Sequence, residues 1–395
     1  MPQLNCSLAL TLLVCLTASL PAQTRLLQGS VFVDQNRNGQ RDPGERGLAN
    51  VSVSNQDAVV ATDSAGDFRI DRGPNAIVFV STPDDYQVIG CFWRSVADGS
   101  SRVAFALAPM PAPDAFTFVH ASDTHIAPAS VERMRRLRAI VDSMRPAFLL
   151  IAGDLVRDAL RVPAAEARSY YDLFMQELGG IRTPAWTVPG NHEIFGIEQH
   201  LSRVESSHPL FGRKMYHHYL GPDYYSFTYG GVHFVGLNTV DNEGPSYYGH
   251  VDSLQLAWLA RDLARIPASM PVVTFNHIPM VTAMEGFGGY TDAPPAPTLI
   301  TVRGKTVFRH LVSNADAVLA VLRSRPHVLA LGAHIHAGEK IALEIGGVRT
   351  RFEQSPAVIG PSRRGPLTFP SGLTLYTIRK GEIDAGQFVP LVTRP

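Results

Sequence analysis

The stretch Phe148-Leu-Leu-Ile-Ala-Gly-Asp154 runs apolar for five residues and then delivers a glycine and one carboxylate. A short apolar run bounded by a turn residue reads as a strand buried on both faces. The pattern recurs. Phe116-Thr-Phe-Val119 leads into Asp123-Thr-His125, Trp186-Thr-Val188 into Gly190-Asn-His-Glu193, Val272-Val-Thr-Phe275 into Asn276-His277-Ile-Pro279, and Val328-Leu-Ala-Leu331 into His334-Ile-His336. Helical stretches at Val131 to Met144 and Ala164 to Leu178 separate several of them, and Tyr225 to Leu237 adds a further strand candidate. Strands alternating with helices predict an α/β domain with buried sheets. Ligands in open α/β sheets gather at the carboxyl ends of strands, so five such ends carrying Asp, Asn or His are expected to meet in one place.

Taken singly, Asp-x-His or His-x-His is a common accident. Jointly the five are hard to explain by folding alone, because buried carboxylates and imidazoles are costly unless a cation compensates them. Mixed imidazole, carboxylate and amide donors without thiolate suit Zn, Fe or Mn. Two such ions need a bridging carboxylate, and Asp154 is the natural candidate. Ions roughly 3.5 to 4 Å apart then hold a hydroxide and polarise phosphoryl oxygens for in-line displacement.

On these segments, residues 116 to 395 resemble the calcineurin-like metallophosphoesterase superfamily. The resemblance implies two packed β-sheets flanked by helices, with a dinuclear metal site at one end. It assigns Asp123, His125 and His336 to the first ion, Asn191, His277 and His334 to the second, and Asp154 to both. It gives His192 the place over the leaving group, as proton donor or charge stabiliser. Three positions depart from the usual pattern: Ala333 stands where glycine is frequent, Glu193 where aspartate is, and Arg157 where protein phosphatases carry an acid that orients the histidine, with Asp158 next. The implied activity is hydrolysis of phosphate mono- or diesters by metal-bridged hydroxide. The competing reading is a non-catalytic surface or adhesion protein with a relic metal site, and the survival of all seven ligands and His192 counts against it.

His217, in the aromatic segment Met215-Tyr-His-His-Tyr219, is a candidate substrate contact. Tyr247, Tyr248, Phe287 and Tyr290 are candidates for the mouth of the site. His120, His200, His208, His218, His233, His250, His310 and His327 read as packing or surface residues. The Gly-, Pro- and Thr-rich run from Met280 to His310 predicts a long loop.

Outward from this domain, Pro109-Met-Pro-Ala-Pro113 falls in a stiff linker over 109–115. Residues 23–108 alternate apolar and polar in short runs (29–33, 49–54, 67–70, 76–80, 102–107) and predict a small all-β sandwich. Within it, Asp34, Asn36, Asn38, Gln40, Asp42 and Glu45, with Gly39 at the sixth place, have the spacing of a calcium loop. The sandwich resembles calcium-binding repeats of bacterial surface proteins, and small β-domains also precede some exported phosphoesterases; spacing, docking or cell-surface contact is its expected role. Residues 1–22 carry the apolar run Leu8 to Leu16 and then small residues, which predicts a signal peptide and a secreted, periplasmic or cell-surface protein. Cys91 is then the only thiol of the mature chain, so no internal disulfide is expected. Lys plus Arg and Asp plus Glu number 35 each, and that neutrality argues against bulk nucleic-acid binding. No segment after the leader predicts a membrane span. The length of 395 residues allows two or three domains, and the oligomeric state is not legible.

Overall fold

The computed structural model describes residues 26–392 except 289–290, 292–296 and 346. The expected signal peptide, Cys6, Cys15 and Tyr290 lie outside the described residues.

Two six-stranded sheets face each other. In the first the order is Ala185–Val188, Phe148–Ala152, Ala115–Ala121, Gly372–Arg379, Glu382–Ile383, with Gln387–Pro390 also paired to Gly372–Arg379. In the second it is Tyr225–Tyr229, Val232–Leu237, Val272–Asn276, His327–Gly332, Val348–Gln354, Glu339–Ile345. The strands that end in the five motifs pair in parallel within their own sheets. Parallel pairing aligns their carboxyl ends.

Side-chain alternation divides each buried strand between two cores. Phe148 and Leu150 point between the sheets; Leu149 and Ile151 point to the outer face. Phe148 sits among the rings of Phe118, Phe227 and Phe234, with centroids 5.4, 5.3 and 5.0 Å away. On the outer face of the first sheet, helix Val131–Met144 buries Met134, Leu137 and Val141, a spacing that keeps one stripe inward. It ends where Arg145 turns left-handed. Helix Ala164–Gly179 buries Ala167, Tyr171 and Phe174 beside it. Helices Ser253–Leu263 and Ala315–Leu322 contribute Trp258, Leu259, Val318 and Leu322 to the core of the second sheet, the former capped by Asp252 accepting from Gln255 N at 2.8 Å.

The N-terminal region forms two four-stranded sheets, ordered Asp67–Asp71, Leu26–Val33, Arg102–Pro109, Tyr86–Ile89 and Val59–Ala61, Ser52–Ser54, Ile77–Val80, Trp93–Ser95. They enclose Val31, Val53, Phe68, Val78, Phe105 and Leu107. This all-β body is docked by polar contacts as well as apolar ones. Gln56 Nε2 donates to Asp223 Oδ1 (2.7 Å), Trp258 Nε1 to Ser54 Oγ (3.0 Å), and Asp84 accepts from the N–H groups of Gly230 and Gly231 (2.8 and 2.7 Å). Phe92 packs on Trp186 and Tyr225.

The run from Met280 to His310 is not one long loop. It contains helix Met284–Gly288 and the hairpin Leu299–Val302 with Lys305–Phe308. Arg303 and Gly304 both have positive φ (48° and 78°), the geometry of a two-residue hairpin turn that matches strand twist.

Replacing Phe148 by Ala removes the centre of the inter-sheet aromatic group and is expected to cost about 3–5 kcal/mol. Thermal melting should show a drop of several degrees, and an unchanged midpoint would contradict the packing described.

Candidate metal centre

Two glycines let the motif loops close on each other. A side chain at Gly153 would place a Cβ 2.7 Å from Gly190 N and from the His277 ring, and one at Gly190 would meet Asp154 Oδ1 at 2.2 Å. Beyond them the backbone is strained: Asp123, His125, Asp154, His334 and His336 all have left-handed φ, between 39° and 69°. For non-glycine residues that conformation is uncommon and clusters at functional sites. Here it turns five side chains inward from the strand ends.

Asp123, His125, Asp154 and His336 bring one donor atom each within 4.8 Å of one another, and Asp154, His277 and His334 form a second such group. Asp154 belongs to both. Its Oδ2 stands 3.6 Å from His125 Nε2 and its Oδ1 3.2 Å from His277 Nε2. His336 Nε2 lies 3.1 Å from Asp123 Oδ1 and 3.3 Å from His125 Nε2. In the second group His277 Nε2 is 3.2 Å from Asn191 Oδ1 and 3.1 Å from His334 Nδ1. Asp123 is fully buried, and neither of its oxygens finds a hydrogen bond of good geometry. Lone pairs so placed fit a cation. The whole buried His and Asp cluster fits two metal ions.

Electrostatics point the same way. Burial alone would raise the pKa of Asp154, but the imidazoles of His277 and His192 outweigh it and hold the carboxyl well below its usual range. Burial lowers His125 to about 4 and His334 well below normal, leaving both neutral and able to donate a lone pair. His277 differs: burial opposes its charge, yet Asp154 and Asp123 raise it to about 9. Its Nδ1 lies 2.8 Å from the carbonyl of Ala152, which fixes the ring with Nε2 inward.

His192 is half-buried, with Nε2 3.8 Å from Asp154 Oδ2 and its ring edge-on to His125 at 4.6 Å. Its Nδ1 lies 2.5 Å from the carbonyl of Arg157. The orienting group is therefore backbone, and an arginine side chain at that position does not disturb it. Asp158 instead caps the N–H groups of Leu160 and Arg161.

Two participants escaped the sequence. Glu193 is buried, and its carboxylate accepts from the backbone N–H groups of Asp154 (2.9 Å), Leu155 (2.8 Å), Val156 (3.0 Å) and Gly190 (2.6 Å). It thus ties the Gly-Asp loop to the Gly-Asn-His loop. Burial and the nearby Asp154 push its pKa up to about 8, against the pull of those N–H groups. His310, read as a packing residue, puts Nδ1 2.6 Å from His334 Nε2 and stacks on that ring. Ala333 is not among the positive-φ residues, so its methyl meets no backbone penalty where glycine is usual.

The cluster floors a cavity of about 340 Å³ whose described walls include Tyr247, Met284, Glu285, Thr298, His310 and Arg364. Tyr247 is thus placed as expected, with Arg309 Cζ 4.1 Å above its ring. Tyr248 pairs with Asp241 and His250, and Phe287 is 52% exposed; neither lines the cavity. His217 does not line it either. Its Nε2 stands 3.1 Å from Asp223 Oδ1, the carboxylate that receives Gln56, so it belongs to the docking surface of the β-body. A larger groove of about 780 Å³ lies on the N-terminal sheets and shares no lining residue with the two His and Asp groups.

A family model described as calcineurin-like phosphoesterase matches residues 116–338. The chain belongs to this family. It is accordingly a metal-dependent phosphoesterase. A second model, the N terminal of calcineurin-like phosphoesterase, matches residues 35–110, so the β-body is a partner domain of the calcineurin-like phosphoesterases. No curated protein matches the chain. Among solved structures, a dimetal phosphatase from Danio rerio is similar at 16% identity and a TM-score of 0.47, over 70% of this chain and 96% of that one. GAP50, the anchor in the inner membrane complex of Plasmodium, is similar at 11% and 0.40, over 70% and 85%. A protein of Thermus thermophilus, TT1561, is similar at 12% and 0.38, over 70% and 99%. Likeness at that level says nothing about substrate.

Replacing Glu193 by Ala leaves four loop N–H groups without their acceptor. Metal content after dialysis is expected to fall together with thermal stability, whereas E193Q, which keeps an acceptor oxygen, should lose less of both.

Proposed function

We propose that the chain is an exported dinuclear phosphoesterase in which Asp123, His125 and His336 hold one ion, Asn191, His277 and His334 the other, and Asp154 both. The observation that carries this reading is the division of one carboxylate between two imidazole groups, Oδ2 toward His125 and Oδ1 toward His277. Bound ions would supply Lewis-acid polarisation of the phosphoryl oxygens and a nucleophile at neutral pH. Iron, manganese and zinc all suit the donor set.

The chain's own residues do the remaining work. Glu193 fixes the two loops from beneath, so that the donors on them meet. His192, with Nδ1 held by the Arg157 carbonyl, keeps Nε2 at the cavity surface, where it stabilises or protonates the leaving oxygen. Export is supported by the apolar run Leu8 to Leu16 and the small residues after it. Among the described residues no helix is long and apolar enough to cross a membrane. For the N-terminal loop we take the reading of a calcium site. In its support, the side chains of Asp34, Asn36, Asn38 and Asp42 are gathered in one turn, in which Asp34 accepts from the N–H groups of Asn38 and Gly39.

The test uses a generic aryl phosphate monoester and diester. Hydrolysis should be abolished by a chelator and restored by Mn²⁺ or Zn²⁺. D154A should lose metal and activity together, while H192A keeps its metal and slows turnover by ~10²- to 10⁴-fold. Full activity in both variants would sink the assignment. Separately, calcium should raise the melting temperature of the wild type and leave that of D34A unmoved.

A further inference from the structure

The short hairpin of Ser362–Arg364 and Leu367–Phe369 lies over the loop that carries His334 and His336. Two bonds seat it there: Ser362 Oγ donates to the carbonyl of His336, and Arg364 Nε donates to that of Ile335 at 2.9 Å. Ile335 sits between two of the ligand histidines. The guanidinium is therefore fixed to the same backbone that aims them. With Nε engaged, the two terminal nitrogens remain, and among the described residues they make no hydrogen bond and no ion pair. Arg364 is also the only Lys or Arg among the described residues of the cavity wall. Glu285 shares that wall and feels the charge of Arg364, though the two make no direct salt bridge.

Arg364 stands close enough to the His336 imidazole to disfavour its charged form, and its one acidic neighbour on the described wall is Glu285, so a permanent cation placed there favours an anion in the cavity. We propose that Arg364 binds the terminal oxygens of the phosphoryl group and makes the site selective for phosphate monoesters over diesters. The inference rests on the phosphoesterase reading above and names its substrate class. A monoester presents three unesterified oxygens and a diester two. With both metal sites loaded, two of these oxygens would be neutralised there, and the third would fall to the guanidinium fork, whose planar donors match phosphate geometry. In a diester that third oxygen is alkylated and offers no charge. The arginine is then left desolvated against an ester group, which costs binding instead of adding to it.

The test compares wild type, R364A and R364K as full-length, metal-loaded protein. Isothermal titration with inorganic phosphate gives a readout independent of turnover, and 4-nitrophenyl phosphate and its methyl ester share a leaving group. Losing a charge-assisted hydrogen-bond partner should weaken phosphate binding by about 10- to 100-fold in R364A. The kcat/KM for the monoester should fall by a similar factor and that for the methyl ester by much less, with two metal ions per chain retained. R364K keeps the charge without the fork and should fall between, and it remains informative should R364A fold poorly. Two results overturn the inference: phosphate affinity equal in R364A and wild type, or a wild type that prefers the methyl ester. A wild type that neither binds metal nor hydrolyses either ester overturns the underlying phosphoesterase reading instead.

Discussion

The carboxylate of Asp154 is the constraint on which the rest of the site depends. It is buried, it lies near a second buried carboxylate on Asp123, and it faces imidazoles from three other loops. Two carboxylates in one dry cluster repel each other, and their charge is tolerable only where positive charge stands between them. Imidazoles offer this in part, and His277 is driven toward the cationic form for that reason. Metal ions would satisfy the same demand better, because the buried oxygens of Asp123 make no well-aligned hydrogen bond and have only the His336 ring nearby, at 3.1 Å. Glu193 completes the arrangement from below. Its four N–H bonds make the two central loops one rigid piece.

That piece sits on an apolar base built for stiffness. Phe118, Phe148, Phe227 and Phe234 interlock between the sheets, and the motif strands end just above them. The N-terminal β-body strengthens this base from another side. It contacts the strand Tyr225–Tyr229, the glycine turn at Gly230 and the helix Ser253–Leu263, through Ser81, Asp84 and Ser54. None of its described residues lines the catalytic cavity. Through Phe92 on Trp186 it also reaches the first sheet, so it braces both sheets on which the motif strands lie.

The strand ends were legible because two requirements coincide there. A doubly buried strand needs an apolar run, and a metal loop needs Asp, Asn or His right after it, so both signals fall in one short window. His217 misled because an aromatic segment near a motif looks alike whether it faces a cavity or another domain; its actual partner, Asp223, gains meaning only through Gln56, far away in sequence. Glu193 stayed silent because its role is to accept backbone N–H groups, and backbone leaves no residue-type signature at the partner positions. The same holds for the Arg157 carbonyl. His310 reaches His334 after a hairpin whose Arg303-Gly304 turn carries no distinctive signal within a run rich in Gly, Pro and Thr. The last strands, such as Val348–Gln354 and Gly372–Arg379, carry no motif that marks them in the sequence.

Strain connects these observations. Five of the candidate ligands hold left-handed backbone, each at a cost on the order of 1–2 kcal/mol for a residue with a Cβ. Such conformations persist only where the surroundings over-determine them. Here the surroundings are identifiable: Asp123 N is held by the carbonyl of Gly153, His125 N by that of Asp154, and Ile359 N by that of Asp123. The ligand loops thus restrain one another through backbone, and the strain of one is carried by its neighbours. A site built in this way gains its precision from being assembled all at once. The donors are aimed by the backbone they share.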